Sequence, residues 1–137
     1  MRVLSLILVL AAAGCTGAPS LPPPVGLAAE IPGTTWTVER VVEADGDLGR
    51  GFAEQVAFGD DGDLRITACN DCSGRYTMTD DVLTVEPVLA CTRRACPSAA
   101  LPLGTILEGT STLRRDGDYL VVANDSLNVQ LLMVPAR

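Results

Sequence analysis

The chain contains no histidine and no lysine. Without histidine it lacks the commonest general base and the commonest metal ligand. Without lysine, Schiff-base chemistry and a phosphate-loop lysine are excluded, and every basic residue is Arg. Aromatic side chains are only 4% of the sequence, so aliphatic residues must build the core. Positive charge is also scarce: 10 basic residues face 17 acidic ones, for a net charge of −7. Such a chain repels phosphate backbones, which argues against nucleic-acid binding. No apolar run reaches the ~20 residues needed to span a bilayer as a helix.

What is present bounds the architecture. At 137 residues the chain has room for one domain, and 47% hydrophobic residues are too many for a disordered one. The N-terminus reads Met1-Arg2 followed by an apolar run from Val3 to Ala13, broken only by Ser5. One positive charge and about a dozen apolar residues fit a signal peptide over residues 1–14. Small residues Ala11-Ala12-Ala13-Gly14 lead into Cys15. This ending resembles the bacterial lipobox, although Ala12 stands where Leu is usual, so lipidation of Cys15 is expected. The alternative is ordinary cleavage near Ala13 with a free cysteine. Acyl chains on Cys15 would hold the protein to a membrane, each buried CH₂ contributing ~0.8 kcal/mol. Residues 15–32, with Pro22-Pro23-Pro24, read as a lipidated cysteine and an extended tether, leaving 33–137 as the domain. Thr16 after the cysteine favours the outer membrane by the enterobacterial sorting rule. The expected location is the cell envelope, lipid-anchored at the outer membrane and facing the periplasm or the cell surface.

Within the domain, period-two alternation predicts strands at Thr35–Glu39 (Trp36 and Val38 inward), Gln55–Phe58 and Leu64–Ala68. Arg75–Thr79 and Val82–Glu86 flank Asp80-Asp81 as a hairpin, and Tyr119–Val122 and Leu127–Val134 form a last pair around Asn124-Asp125. Turn signals recur every 8–12 residues or so, as in sandwiches and barrels. Ser98 to Leu107 is expected to be a short helix capped by Ser98, burying Leu103, Ile106 and Leu107. The expected class is mainly β (α+β): an antiparallel sheet curled into a small barrel with one helix packed across it.

Four cysteines remain beyond Cys15: Cys69, Cys72, Cys91 and Cys96. An even count in an exported domain reads as two disulfides. If the strands around Asp80-Asp81 pair antiparallel, Cys72 faces the neighbourhood of Cys91, and Cys69 that of Cys96. Nested pairing is therefore natural, with Cys69–Cys72 plus Cys91–Cys96 as the alternative. A Cys₄ zinc site is the rival chemistry, since Cys-x-x-Cys has ligand spacing. A thioredoxin-like redox centre fits poorly, because no helix start follows Cys69-Asn70-Asp71-Cys72.

These residues together resemble the META domain family, of the HslJ-like heat-shock and envelope lipoprotein type. The carrying segments are Gly33-Thr34-Thr35-Trp36, Cys69-Asn70, Ser73-Gly74-Arg75-Tyr76-Thr77, Leu83-Thr84-Val85, and Thr92-Arg93-Arg94-Ala95-Cys96. The structural motif residues implied are Trp36, Asn70, Ser73, Gly74, Tyr76, Thr92 and Arg93. The chain departs from the pattern at Ala68, where the family has Gly, and at Arg94, where it has Met. Cys72 and Cys91 are additions, which supports their being bonded to each other. The segment from Pro97 to Leu107 is apolar where the family's is polar. The resemblance implies a small β-rich envelope protein tied to stress tolerance, with no established catalysis and no cofactor.

Individual residues argue the same way. Asn70 is expected to cap its own turn. Ser73 has no His or Lys to activate it as a nucleophile. Arg93 and Arg94 could grip an acidic partner, but exposed loop arginines are ordinary. Asp60, Asp61 and Asp63 lack EF-hand spacing and read as a solvated turn. The Asn124-Asp125-Ser126 sequon means little in a bacterial lipoprotein. The expected function is thus a non-catalytic envelope module that binds a protein partner or supports the envelope under stress. The alternative is a secreted inhibitor or small-ligand-binding barrel. No metal is expected, and oligomeric state cannot be read from the sequence.

Overall fold

The computed structural model describes residues 26–50, 52–87 and 89–137. The expected signal peptide, Cys15 and most of the tether lie outside the described residues. The elements are α1 (Leu27–Glu30), β1 (Thr34–Glu43), β2 (Gly46–Arg50), β3 (Gln55–Phe58), β4 (Asp63–Thr67), β5 (Cys72–Thr79), β6 (Val82–Val85), β7 (Ala90–Cys91), α2 (Leu103–Leu107), β8 (Gly109–Asp116), β9 (Tyr119–Asn124) and β10 (Val129–Pro135).

The strands run in the order β10-β9-β8-β6-β5-β4-β3-β1, and β10 pairs with β1 to close an antiparallel barrel. Closure removes the open sheet edges that invite aggregation. Strand β2 pairs only the C-terminal half of β1, and β7 pairs only the first residues of β5. Alternation makes the barrel interior. In β4, Leu64 and Ile66 point inward while Asp63, Arg65 and Thr67 face solvent. Trp36 and Val38 of β1 are buried, as are Leu83 and Val85 of β6 and Leu131 and Met133 of β10. At ~1.5–3 kcal/mol for each fully buried aliphatic or aromatic side chain, this core is the main favourable term in folding.

A short helix plugs each end. Leu103, Ile106 and Leu107 of α2 are buried, the face expected from the sequence. The helix nevertheless starts after Pro102 rather than at Ser98: Pro97–Ala100 forms a turn, and no side chain caps the first turn. Proline is compatible with a helix start but not its interior, so the boundary falls there. Its other end is closed by Asn124, whose buried amide donates to the Ile106 carbonyl at 2.8 Å.

Helix α1 occupies sequence read as tether. Leu27, Ala28 and Ile31 are 7, 7 and 0% exposed, so the fold begins ahead of Gly33, the boundary expected from the proline run. Gly33 itself turns the chain with φ +77, where a Cβ would sit 2.5 Å from Asp60 Oδ1. Beside α1, Thr34 Oγ1 donates to the Ile31 carbonyl, Trp36 Nε1 donates to Thr34 Oγ1, and Arg115 stacks on the Trp36 ring at 4.9 Å while pairing with Glu30.

The two ends differ. Gly26 lies beside Asp81, at the end formed by the β3–β4, β5–β6 and β8–β9 turns. The other end carries Cys72, β7 and α2. Strand β5 runs between them, a span of about 23 Å at ~3.3 Å per residue.

A disulfide-walled cleft at the barrel end

The first residues of β5 leave β6 and pair with β7, so the register changes there. Tyr76 faces Val85, yet Cys72 faces Cys91, two residues beyond where an unbroken β5–β6 ladder would place its partner. The slip puts Cys72 opposite Cys91, and they are bonded, with Cα atoms 4.1 Å apart. Cys69 is bonded to Cys96 with Cα atoms 5.8 Å apart. The bridges are nested. All four sulfurs are oxidised, whereas a Cys₄ zinc site needs four thiolates.

Asn70 does something other than cap its own turn. Its Oδ1 accepts from the Arg94 backbone N–H at 2.7 Å and from Thr92 Oγ1 at 3.3 Å. Its Nδ2 lies 3.1 Å from Cys96 Sγ. Thr92 Oγ1 in turn accepts from the Asp71 N–H at 3.0 Å. Asn70 and Thr92 therefore fasten the 92–96 segment to the β4–β5 turn, beside the disulfides. Arg94 pairs with Asp71 at 3.3 Å, an exposed contact worth little by itself. Arg93 is exposed and makes no ion pair among the described residues.

Gly74 is explained by Leu89. A Cβ on Gly74 would lie 2.2 Å from Leu89 Cδ2. Gly104 of α2 lies on the same side chain and on the sulfurs: a Cβ there would sit 3.2 Å from Cys72 Sγ and 3.7 Å from Leu89 Cδ1. Two missing side chains thus let Leu89 bridge β5 and α2. Ser73 is exposed in β5. Tyr76 is distant from this cluster. Its ring meets Phe58 edge to face at 5.2 Å, and its hydroxyl donates to the Gly59 carbonyl at 2.7 Å. Burial, reinforced by the nearby Asp60 and Asp61 charges, raises its pKa. Asp61 is held below the ordinary carboxylate range, chiefly by the Asp63 backbone N–H. Trp36 is likewise at the far end of the barrel, beside α1.

Between the bridges and α2 lies a cleft of about 360 Å³. Ala68, Leu89, Leu101 and Leu103 supply apolar wall, and both disulfides border it. Asn70, Thr92 and Thr105 add polar atoms, and Glu108 is the one ionisable residue among the described residues lining it. The volume falls in the range of small-molecule pockets, and the rigid wall makes it preformed. This arrangement offers a concave, mostly apolar surface that can bind. The sequence reading located the cysteines and Asn70 but missed Leu89, Leu101, Gly104 and Glu108. The available signal was the apolar character of Pro97 to Leu107, which supplies one wall.

The META domain family profile matches residues 29–136. No curated protein matches the chain. Among solved structures, the NMR structure of a protein from Burkholderia xenovorans superposes with a TM-score of 0.63 at 16% identity, covering 90% of this chain and 97% of that one. At that identity the likeness is one of fold. The profile spans nearly the whole closed barrel with its Cys-Asn turn, Ser-Gly-x-Tyr strand and Thr-Arg loop, and on that ground the chain belongs to the META domain family.

Proposed function

We propose that the protein is a non-catalytic, HslJ-like envelope lipoprotein that supports stress tolerance by binding an envelope protein through the disulfide-walled end of its barrel. The observation that carries this is the opposition of the two ends. The N-terminal segment enters beside Asp81, whereas the cleft sits at the other end of β5. A chain anchored at Cys15 would face its turn-rich, acidic end toward the lipid and its rigid end away from it. Covalent bracing suits a surface that must keep one shape for a partner, because preorganisation lowers the ordering cost of binding.

The test has two parts. Intact mass of protein extracted from membranes should report acyl chains on Cys15 and the loss of four protons for two disulfides. Cys15→Ser should move the protein to the soluble fraction. A cross-linker placed at Arg93 should then capture one envelope protein, and one placed at Asp118 should not. An unmodified Cys15 with five free thiols in the cytosol would end this reading.

A further inference from the structure

The two disulfides have different surroundings. Cys72–Cys91 joins directly opposed residues of β5 and β7, and that ladder holds only one further pair, Ser73 with Ala90. Among the described residues β7 pairs with β5 alone, so no strand covers its other edge. Cys72 is 7% exposed and lies against Gly104 of α2, whereas Cys91 is exposed. The bridge is also a partition. On one side is the cleft of about 360 Å³; on the other, an open groove of about 610 Å³ runs along the outside of the barrel past Thr67, Ser73 and Ala90. Cys72 and Cys91 line both concavities. Cys69 and Cys96 line the cleft but not that groove, and both are half-buried, with Asn70 Nδ2 on Cys96 Sγ. Exchange needs a thiolate to reach one sulfur of the bond, so exposure on one side decides which bridge and which sulfur react.

We propose that Cys72–Cys91 is an exchangeable bridge, opened by a dithiol reductant that attacks Cys91 from the outer groove, while Cys69–Cys96 is the structural bridge that holds the fold meanwhile. The reductant's thiolate bonds to Cys91 Sγ, the bond between Cys91 and Cys72 breaks, and its electron pair leaves on Cys72 Sγ, which takes a proton from water. The reductant's second thiol then attacks its own sulfur in the mixed disulfide and releases Cys91, which is protonated in turn. Two electrons and two protons pass to the bridge, and the dithiol becomes a disulfide. Opening removes the covalent tie in the partition. Residues 90 and 91 are then held by the two ladder pairs and the Thr92 N–H bond to the Asp71 carbonyl, and the cleft can merge with the groove. Cys69–Cys96 and the Asn70 bonds keep residues 92–96 in place. The proposal rests on the two bridges and stands whether or not Cys15 is lipidated.

The experiment uses the full oxidised chain in detergent, without denaturant. Dithiothreitol is added in steps, free thiols are trapped with iodoacetamide, and each cysteine is read by peptide mass. Cys72 and Cys91 should become alkylated together at a dithiol concentration about tenfold below that at which Cys69 and Cys96 react. Brief exposure to excess glutathione, quenched in acid, should leave a mixed disulfide on Cys91 and not on Cys72. At the dithiol concentration that opens only the first bridge, amide exchange should quicken at residues 90–92, while β1, β8, β9 and β10 keep their protection. The proposal is overturned if Cys69–Cys96 opens first or both bridges open together, if glutathione is found on Cys72 or on neither cysteine of the pair, or if exchange at residues 90–92 is unchanged after selective reduction.

Discussion

Nesting makes the two disulfides thermodynamically unequal to two independent ones. In the loop-entropy view, a bridge stabilises by restricting the unfolded chain, with a contribution that grows as the logarithm of the loop closed. Cys72–Cys91 spans a separation of 19 and Cys69–Cys96 one of 27. Taken alone they contribute about 3.3 and about 3.6 kcal/mol. Once the inner bridge is closed, however, the outer one closes a ring of only about ten residues and adds about 2.7 kcal/mol. Conversely, the inner bridge adds about 2.4 kcal/mol to the outer one. Converting Cys69 and Cys96 to Ala should therefore cost about 2.7 kcal/mol, converting Cys72 and Cys91 about 2.4, and converting all four about 6. The fourfold variant should lose nearly 1 kcal/mol more than the two pairs sum to. Urea unfolding of the four forms measures this, and the slope should rise as cross-links are lost, because a freer unfolded chain exposes more surface. A fourfold variant no less stable than either pair, or strict additivity, would refute the nested-loop reasoning.

Other perturbations test the packing and the polar contacts. Gly74→Ala drives a methyl into Leu89 and should destabilise by about 1–2 kcal/mol; adding Leu89→Ala should recover part of that, giving a non-additive double-mutant cycle in urea. Ser111→Ala should raise thermal stability by about 1 kcal/mol, because the Ser111 hydroxyl is buried with no hydrogen-bond partner among the described residues. Tyr76 keeps its proton in the folded state above the pH, near 10, at which an unfolded tyrosine releases it. The native state then binds more protons, so stability is full below about pH 10 and declines as pH rises beyond it. Tyr76→Phe should flatten that alkaline slope in pH-dependent unfolding, at a loss of about 1 kcal/mol near neutrality for the bond to Gly59.

Strands whose apolar residues alternate were legible in the sequence, and those built from other materials were not. β3 matches its expected bounds, and the β5–β6 hairpin turns at Asp80-Asp81, with Asp80 at φ 53. β8 escaped notice because only Leu113 supplies a large inward apolar side chain; its other inward position is Ser111. β2 contains Gly46, Asp47 and Gly49, residues with poor strand propensity. It exists because the long β1 leaves its C-terminal half without a neighbour beyond β3. α1 is four residues, too short for a 3.6-residue period to register, and a proline run precedes it. The cysteine pairing could be anticipated because hairpin register brings distant positions together in a countable way. No such rule brings Gly104 against Cys72 or Leu89 over Gly74, since both depend on the course of the irregular chain between β6 and α2.

That irregular loop explains why the family's Asn and this chain's extra cysteines sit together. Elsewhere the strands that close the barrel are each held by ladder bonds to two neighbours, and an isolated side-chain bond adds little. At the β5–β7 seam the ladder shrinks to two residue pairs, so the segment leading to α2 would otherwise open at low cost. Asn70 replaces missing strand contacts with side-chain bonds to residues 92 and 94, and Cys69–Cys96 adds a covalent one. Cys72–Cys91 places a second covalent link where the ladder itself is shortest. The consequence is a wall that stays open without a continuous sheet behind it. A cleft can exist there only because chemical bonds take over the role that strand pairing performs around the rest of the barrel.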